Sequence, residues 1–185
     1  ELLTPISKAW CTDLGVELTS IGIQVHGGYG YIEETGAAQY LRDSRISPIY
    51  EGTNGIQALD LVGRKLPMRE GAVVGDLLAE IGFLDASLAE AGPGFESIRV
   101  NLTDAQAATG EATRWLMANG AGDPTDAMAG ATPYLRMLGQ LVGGWLLARL
   151  ALGARRRLAD GGDDEFLASK IVVARFYAEQ LLPLA

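Results

Sequence analysis

Apolar residues recur at intervals of three and four along most of this 185-residue chain, which is typical of helices with one buried face. Residues 6–23 carry this pattern, and a second stripe covers residues 56–66 and ends at Pro67. The second stripe consists of Ile56, Leu59, Val62 and Leu66. A shorter helix is predicted at residues 36–44. The alternation of β-branched and aromatic residues that marks strands is missing, so the sequence predicts an all-α fold.

Beyond Pro67 the composition shifts toward Ala, Leu and Gly, and longer helices are predicted. These helices cover residues 73–91, 95–119, 126–160 and 165–182. Turn residues separate them at 92–94, 120–124 and 161–162. Residues 68–185 are therefore predicted to form a small helical bundle. Four aromatic residues are interpreted as core rings of this bundle: Trp115, Trp145, Phe166 and Tyr177.

One of these helices carries a long apolar stretch at residues 131–150. Two arginines and a glutamine interrupt it, so a buried helix is favoured over a membrane span, which needs about 20 predominantly apolar residues. Gly143 and Gly144 lie in its middle, where each glycine costs up to ~1 kcal/mol relative to Ala. A close helix contact is therefore predicted at these two glycines.

The net charge of −8 and the pI near 4.6 argue against a general binder of nucleic acids or anionic membranes. Arg155, Arg156 and Arg157 form the one basic cluster of the sequence, and we interpret them as the C-terminal turn of a helix, where cations are favoured. One cysteine and one histidine are too few for a typical metal site. No metal is therefore expected.

A single carboxylate, Glu51, lies between Tyr50 and Gly52 and shortly before a predicted helix start. Thr53 or Asn54 can cap that helix, whose first N–H groups suit an anion. Residue pattern alone leaves two interpretations of this loop. Glu51 is either a solvated loop acid, or a base for proton transfer that apolar neighbours flank.

Three glycines follow the first predicted helix, at Gly27, Gly28 and Gly30. Glycine allows a backbone to approach a ligand closely and to adopt positive φ angles. The pair Gly27 and Gly28, next to Gln24, is explained equally by a helix C-cap or by a ligand contact. Spacing alone does not decide between them.

Three segments of the sequence resemble the acyl-CoA dehydrogenase family. They are Gln-Val-His-Gly-Gly-Tyr-Gly-Tyr at residues 24–31, Leu-Arg-Asp at residues 41–43, and Ile-Tyr-Glu-Gly-Thr-Asn-Gly-Ile-Gln at residues 49–57. Their order and their separation both fit the family. The resemblance is close over residues 1–66 and looser over the remainder.

The resemblance implies a C-terminal fragment of a longer enzyme with two units. Residues 1–66 would be the end of the family's C-terminal catalytic helical domain. Residues 68–185 would be a helical extension similar to that of long-form, mostly bacterial members, a group that includes enzymes acting on 3-(methylthio)propanoyl-CoA. The remaining domains would supply most flavin and acyl-chain contacts, so the fragment alone is expected to be inactive.

The resemblance also implies roles for the loop around Glu51. Glu51 would be the catalytic base that takes the α-proton of an acyl-CoA thioester, while the β-hydride passes to FAD and a trans-2-enoyl-CoA forms. Tyr50 and Gly52 would line the thioester channel. The implied FAD contacts are Thr53, Asn54 and Gly55 and, toward FAD in a neighbouring subunit, Gln24, Gly27 and Gly28.

Two positions depart from the family pattern. Many members carry Gln where this chain has Gly55, so only backbone contact is possible there. Many members carry Arg at the position of Gly63, whereas this chain has Arg64 one residue later, so that role is not transferred.

The expected partners are an acyl-CoA substrate, electron-transfer flavoprotein as electron acceptor, and further copies of the chain in a homo-oligomer, with a cytoplasmic location. Two alternatives stay open at this point. One is an acyl-CoA oxidase relative with the same proton abstraction, and the other is a non-catalytic helical interaction module. Acyl chain length is also open.

Overall fold

The structure, a computed structural model, describes residues 1–120, 124–161 and 165–185. Within these ranges all regular elements are helical and none is a strand, which confirms the predicted all-α fold. The α-helices are α1 (Thr4–Val25), α2 (Gly28–Tyr31), α3 (Ala37–Ser44), α4 (Asn54–Asp60), α5 (Ala72–Gly82), α6 (Leu84–Glu90), α7 (Glu96–Asn119), α8 (Pro124–Ala129), α9 (Ala131–Ala159) and α10 (Glu165–Gln180). Shorter 3₁₀ segments are Glu33–Thr35, Met68–Gly71, Pro93–Phe95 and Leu182–Leu184, and a π-helix, Leu61–Lys65, continues α4.

Two predicted helices are each broken into two. The predicted helix at 73–91 ends at Gly82 and restarts at Leu84. The carbonyl oxygen of Leu78, in the last turn before this break, accepts a hydrogen bond of 2.7 Å from the side-chain amide of Gln106 in α7. A Cβ on Gly82 would lie 2.8 Å from Gln106 Nε2, so the glycine allows this approach.

The predicted helix at 126–160 breaks at Gly130, which precedes α9. Glycine disfavours the helix interior by about 1 kcal/mol relative to Ala, and here that preference prevails over the apolar pattern. The predicted breaks at 120–124 and 161–162 lie partly outside the described residues.

The second stripe of the sequence is only half buried. Val62 and Leu66 are in the core, but Ile56 is 56% exposed and Leu59 is 40% exposed. The π-helix Leu61–Lys65 explains part of this difference, because each π-turn adds one residue and rotates the subsequent residues relative to a regular α-helix. A fixed spacing of three and four therefore does not describe this segment.

Helix α9 is the centre of the fold and packs against α1, α4, α7 and α10. Among the described residues it is the one helix long and apolar enough to cross a membrane by length and composition. However, 13 of its 29 residues are buried inside the protein, which agrees with the predicted buried helix. Arg156 and Arg157 lie in its last turn, as predicted for the basic cluster.

Three glycines of α9 are in close contact with Trp10 near the start of the chain or with Leu182 near its end. An added Cβ would lie 2.6 Å from Trp10 Cγ at Gly139, 2.9 Å from Trp10 Cη2 at Gly143 and 2.8 Å from Leu182 Cδ2 at Gly144. Such distances are shorter than real side chains show, so only glycine fits. The close contact predicted at Gly143 and Gly144 is therefore present.

A single hydrophobic core joins the two predicted units. Leu2, Ile6 and Ala9 belong to the same buried cluster as Leu138 and Leu141 of α9. The division at residues 66 and 68 stays a prediction, since this core is continuous across it.

Two of the four predicted core rings are wrong. Trp145 is buried and Tyr177 packs against the core, but Trp115 is 49% exposed and Phe166 is 62% exposed. The buried face of α7 contains Thr113 and Leu116, and Trp115, although it stands between them in the sequence, lies on a different side of the helix.

A buried polar contact joins α7 and α9. The hydroxyl groups of Thr113 and Tyr134 lie 2.7 Å apart, and the Thr113 hydroxyl also donates to the carbonyl oxygen of Thr109 at 2.7 Å. Burial raises the pKa of Tyr134 to about 12, although the hydrogen bond to Thr113 acts in the opposite direction.

The contact between α1 and α9 predicts that an alanine destabilises the protein at one glycine of α9, Gly139, and does not destabilise it at another, Gly153. Gly139→Ala should lower the free energy of unfolding of the full-length protein by about 1–2 kcal/mol, because overpacking against the rigid Trp10 ring exceeds the helix-propensity gain. Gly153→Ala is the matched control, since a Cβ there meets nothing within 4 Å. Denaturant unfolding measures both, and equal stability of the two variants would contradict the close contact.

Tyr134 predicts a loss of stability at alkaline pH. The unfolded tyrosine ionises near its ordinary pKa of 10.0 and the folded one near 12, so its contribution is complete below pH 10 and falls as the pH rises toward 12. The loss amounts to about 2–3 kcal/mol at most, at about 1.4 kcal/mol per pKa unit. Tyr134→Phe should therefore unfold with a shallower pH dependence in this range.

The wild-type protein is the reference for this measurement. Burial also raises the pKa of Tyr177 to about 12, but Tyr177 is present in both proteins, so the difference in slope reports Tyr134. Identical slopes between pH 10 and 12 would show that Tyr134 ionises equally easily in both states.

Candidate functional site

Glu51 lies at the centre of a closed loop between α3 and α4. The backbone N–H of Asn54 donates to the carbonyl oxygen of Pro48 at 3.1 Å and closes a loop of residues 48–54. In the first half of this loop, the N–H groups of Ile49 and Tyr50 both donate to the carbonyl oxygen of Ile46, which precedes the loop, at 2.9 and 3.2 Å. Backbone hydrogen bonds thus define the loop on both sides of Glu51.

Two consecutive residues of this loop have positive φ angles, 54° at Glu51 and 83° at Gly52. For a residue with a side chain this left-handed conformation costs roughly 1–2 kcal/mol. A Cβ at Gly52 would lie 2.9 Å from Gln57 Nε2, so a larger residue there would also displace the Gln57 side chain. Strain of this kind persists where the surroundings enforce it, and it concentrates at functional sites.

Thr53 caps α4, as one of the two alternatives in the sequence predicted. Its hydroxyl oxygen accepts a hydrogen bond from the N–H of Ile56 at 3.3 Å. The N–H groups of Glu51, Thr53 and Gly55 donate to no acceptor in the part of the chain that the structure describes. They remain available to a ligand.

The side chain of Asn54 points away from this loop and onto α1. Its Oδ1 accepts from Lys8 Nζ at 2.8 Å, and its Nδ2 donates to the carbonyl oxygen of Ala9 at 3.0 Å and to Asp13 Oδ1 at 2.7 Å. The Thr12 hydroxyl lies 3.0 Å from Nδ2 and 3.3 Å from Oδ1. Asn54 therefore fastens the exit of the loop to α1.

The entry of the loop is also connected to α1. The hydroxyl oxygens of Ser44, the last residue of α3, and Thr19 in α1 lie 3.0 Å apart. Helix α1 thus holds the segment that carries Glu51 at both of its ends.

The apolar walls expected around Glu51 are not formed by these residues. Ile49 is 48% exposed, Tyr50 is 49% exposed, and Glu51 itself is exposed. Within the described residues the carboxylate is therefore solvated, and its flanking by apolar walls stays a prediction for the full-length protein.

The glycine-rich segment lies at the other end of α1. Gly27 has a φ of 61° and follows the last residues of α1, and Gln24, Gly27 and Gly28 are all exposed. A Cβ at Gly27 or Gly28 would meet nothing within 4 Å, so space remains above both. The positive φ of Gly27 fits a helix C-cap, and the open space above Gly27 and Gly28 also fits a ligand contact. The two interpretations of this segment therefore do not exclude each other.

A cavity of about 840 Å³ adjoins this segment. Gln24 and Ile23 of α1, Tyr31 of α2 and Arg42 of α3 contribute to its lining. Arg42 lies 3.6 Å from Glu33, so both charge signs are present at its edge.

The two predicted groups of site residues do not come together within the chain. Asn54 attaches to residues 8–13 of α1, whereas Gln24 is 11 to 16 residues further along the same helix. At 1.5 Å per residue the two groups are roughly 15–25 Å apart along α1. One bound ligand in contact with both loops of a single chain would have to bridge that distance.

The departures at positions 63 and 64 lie within the π-helix. Arg64 is exposed and pairs with Asp60 at 3.1 Å, and a Cβ on Gly63 would lie 3.2 Å from Met128 Cε.

Two family models match the chain. Residues 1–66 match the model described as "Acyl-CoA dehydrogenase, C-terminal domain", and residues 77–185 match the model described as "Acetyl-CoA dehydrogenase C-terminal like". The chain belongs to the acyl-CoA dehydrogenase family. The resemblance seen in the three sequence segments is thereby confirmed.

Relatives of this acyl-CoA dehydrogenase chain match it along nearly its whole length. It is 45% identical to a 3-methylmercaptopropionyl-CoA dehydrogenase of Ruegeria pomeroyi, with 98% of the chain and 31% of the relative covered. It is 34% identical to a butyryl-CoA dehydrogenase of Syntrophomonas wolfei, with 97% and 30% covered. It is 30% identical to the broad-specificity linear acyl-CoA dehydrogenase FadE5 of Mycobacterium tuberculosis, with 100% and 31% covered.

The chain spans a little under one third of the length of these relatives. Its first 66 residues also expose unusually large apolar side chains, at Val25, Tyr29, Tyr31 and Tyr40, each more than 70% exposed. Exposed apolar patches mark surfaces for other protein segments or ligands. These exposed side chains are therefore candidates for contact with other protein segments or with a ligand.

Sequence reasoning missed the role of the Asn54 side chain. Its partners are 41 to 46 residues away, and no local motif announces them. The one signal in the sequence was weak: Lys8, Thr12 and Asp13 place three polar side chains close together in the first half of α1.

Proposed function

We propose that this chain is the part of an FAD-dependent acyl-CoA dehydrogenase that carries the catalytic base. In the full-length protein, saturated acyl-CoA thioesters are converted to trans-2-enoyl-CoA, and Glu51 removes the α-proton. One observation carries the proposal: an exposed carboxylate stands at the centre of a closed loop in a strained conformation, next to unused N–H donors. The family membership supplies the reaction class.

The chemistry of the loop suits this reaction. A thioester carbonyl acidifies the neighbouring α-carbon, and a carboxylate within reach accepts that proton. Negative charge then develops on the thioester oxygen. The backbone N–H of Glu51 has no acceptor among the described residues, so it can donate to that oxygen and stabilise the developing charge.

Residues of the chain fit FAD in part. The N–H groups of Thr53 and Gly55 have no protein acceptor in the described ranges and suit an anionic or carbonyl group of the cofactor. Asn54 does not fit as a contact, because its N–H and its side-chain amide are already engaged. When bound, FAD accepts the hydride from the β-carbon.

The separation of the two loops supports an oligomeric site. Gln24, Gly27 and Gly28 are exposed but remote from Glu51 along α1, so they are proposed to contact the FAD of a neighbouring subunit. Reoxidation by electron-transfer flavoprotein and a cytoplasmic location complete the proposal. A short acyl chain is proposed because two relatives are named for butyryl-CoA and 3-methylmercaptopropionyl-CoA.

Replacing the base should abolish turnover and leave the protein intact. Glu51→Gln in the full-length enzyme should lower the rate of flavin reduction by butyryl-CoA or 3-methylmercaptopropionyl-CoA at least ~10² to 10⁴-fold, because the amide keeps the shape and cannot take the proton. FAD content and melting temperature should stay at wild-type values.

Glu70 offers a matched control for this experiment. It is also an exposed glutamate with a positive φ, 58°, but it lies after the π-helix and away from the loop. Glu70→Gln should keep the wild-type rate. Near wild-type flavin reduction in Glu51→Gln would refute Glu51 as the base.

The isolated chain should not retain the cofactor. Its exposed apolar surface and its widely separated loops offer only part of a flavin site, so residues 1–185 alone should purify colourless. The full-length protein, purified in parallel, should show the visible absorbance of oxidised flavin. A yellow, stoichiometric preparation of the isolated chain would show that this part binds FAD by itself.

A further inference from the structure

We propose that Asn54 is a positioning residue for Glu51 and that it acts by fastening the loop of residues 48–54 to α1. This inference rests on the proposed function of Glu51 as base. It differs from the role that the family resemblance implies for Asn54, which is a contact with FAD.

The nitrogen and the oxygen of the Asn54 side-chain amide both have hydrogen-bond partners. Its two N–H groups share the carbonyl oxygen of Ala9, the Thr12 hydroxyl and the carboxylate of Asp13, at 2.7 to 3.0 Å. Its oxygen accepts from the ammonium group of Lys8 at 2.8 Å. Two of these partners are charged, and hydrogen bonds to charged groups are the stronger class.

The same residue also closes the loop through its backbone. Its N–H reaches Pro48, three residues before Glu51, while Asn54 itself is three residues after Glu51. One further side-chain bond touches the centre of the loop, from Gln57 Nε2 to the carbonyl oxygen of Glu51, and at 3.4 Å it is long. Asn54 is therefore the anchor nearest to Glu51 that holds this loop on α1.

Helix α1 is in turn fixed relative to the C-terminal half of the chain. Trp10 is next to Ala9, which accepts from Asn54, and its ring packs on Gly139 and Gly143 of α9. A continuous path of close contacts thus runs from α9 through α1 to the loop of Glu51.

Asn54→Ala in the full-length holoenzyme tests the inference. Turnover per bound FAD should fall about 10- to 100-fold, since a displacement near 1 Å at a reacting group costs up to about 10²-fold. The KM for butyryl-CoA and the FAD content should remain at wild-type values. With α-deuterated butyryl-CoA, the isotope effect on flavin reduction should rise, because proton abstraction by a displaced base becomes more fully rate-limiting.

A charge exchange provides the rescue. Asn54→Asp would place two carboxylates at the 2.7 Å contact with Asp13 and should lower turnover at least as much as Asn54→Ala. Adding Asp13→Asn restores one donor and one acceptor at that contact while Lys8 keeps its partner. The double variant should therefore recover part of the lost turnover and of the normal isotope effect.

Leu88→Ala serves as the stability control. It removes buried apolar volume from α6 and leaves Trp10 and the glycines of α9 that receive it unchanged, so it should lower the melting temperature without changing turnover per bound FAD or the isotope effect. The same kinetic change in Leu88→Ala would overturn the inference, since general destabilisation would then explain it. Loss of activity in Asn54→Ala that excess FAD restores would also overturn it, in favour of a cofactor contact.

Glu51→Gln in the same assay separates the two possible failures. A fast Glu51→Gln enzyme refutes the assignment of the base and the positioning role with it. A slow Glu51→Gln enzyme beside an Asn54→Ala enzyme with wild-type turnover and isotope effect refutes the positioning role alone.

Discussion

The candidate site depends on how closely α1 approaches α9. Trp10 rests on Gly139 and Gly143 at distances that no side chain at these positions would allow, so the two helices are held at a defined separation. Polar contacts to α1 fasten the segment that carries Glu51, through Thr19 at its entry and through residues 8–13 at its exit. An apolar contact between helices thus sets the frame in which a carboxylate is placed.

Local strain and tertiary contacts support each other in this loop. A left-handed glutamate costs roughly 1–2 kcal/mol, which a free loop would relieve by turning over. The hydrogen bonds of Asn54 contribute about 0.5–1.5 kcal/mol each, and about 1.5–3 kcal/mol where the partner is charged. Each of these contributions is of the same size as the strain at Glu51, so the contacts of Asn54 on α1 can offset that strain although the central residue makes few contacts of its own.

Local patterns predicted what depends on local physics. The helix at residues 6–23, the cap at Thr53 and the close contact of Gly143 and Gly144 follow from helical spacing, side-chain capping and residue size. The break beside Gly82 could not be predicted, because an amide from α7 supports it. Likewise, the side chain of Asn54 looked like that of a loop residue, and only the fold shows its partners on α1.

Positioning and desolvation are divided between different parts of the enzyme under the proposed function. The described residues hold Glu51 in place but leave Ile49, Tyr50 and the carboxylate exposed. A base for a weakly acidic C–H bond works best where water is excluded, because electrostatic interactions are stronger there. In each of these relatives, the part of the sequence outside the matched region is more than twice as long as this chain. Under the proposed function, the exposed apolar side chains of α1, α2 and α3 would be the surface on which further structure, or a second subunit, closes the site around Glu51.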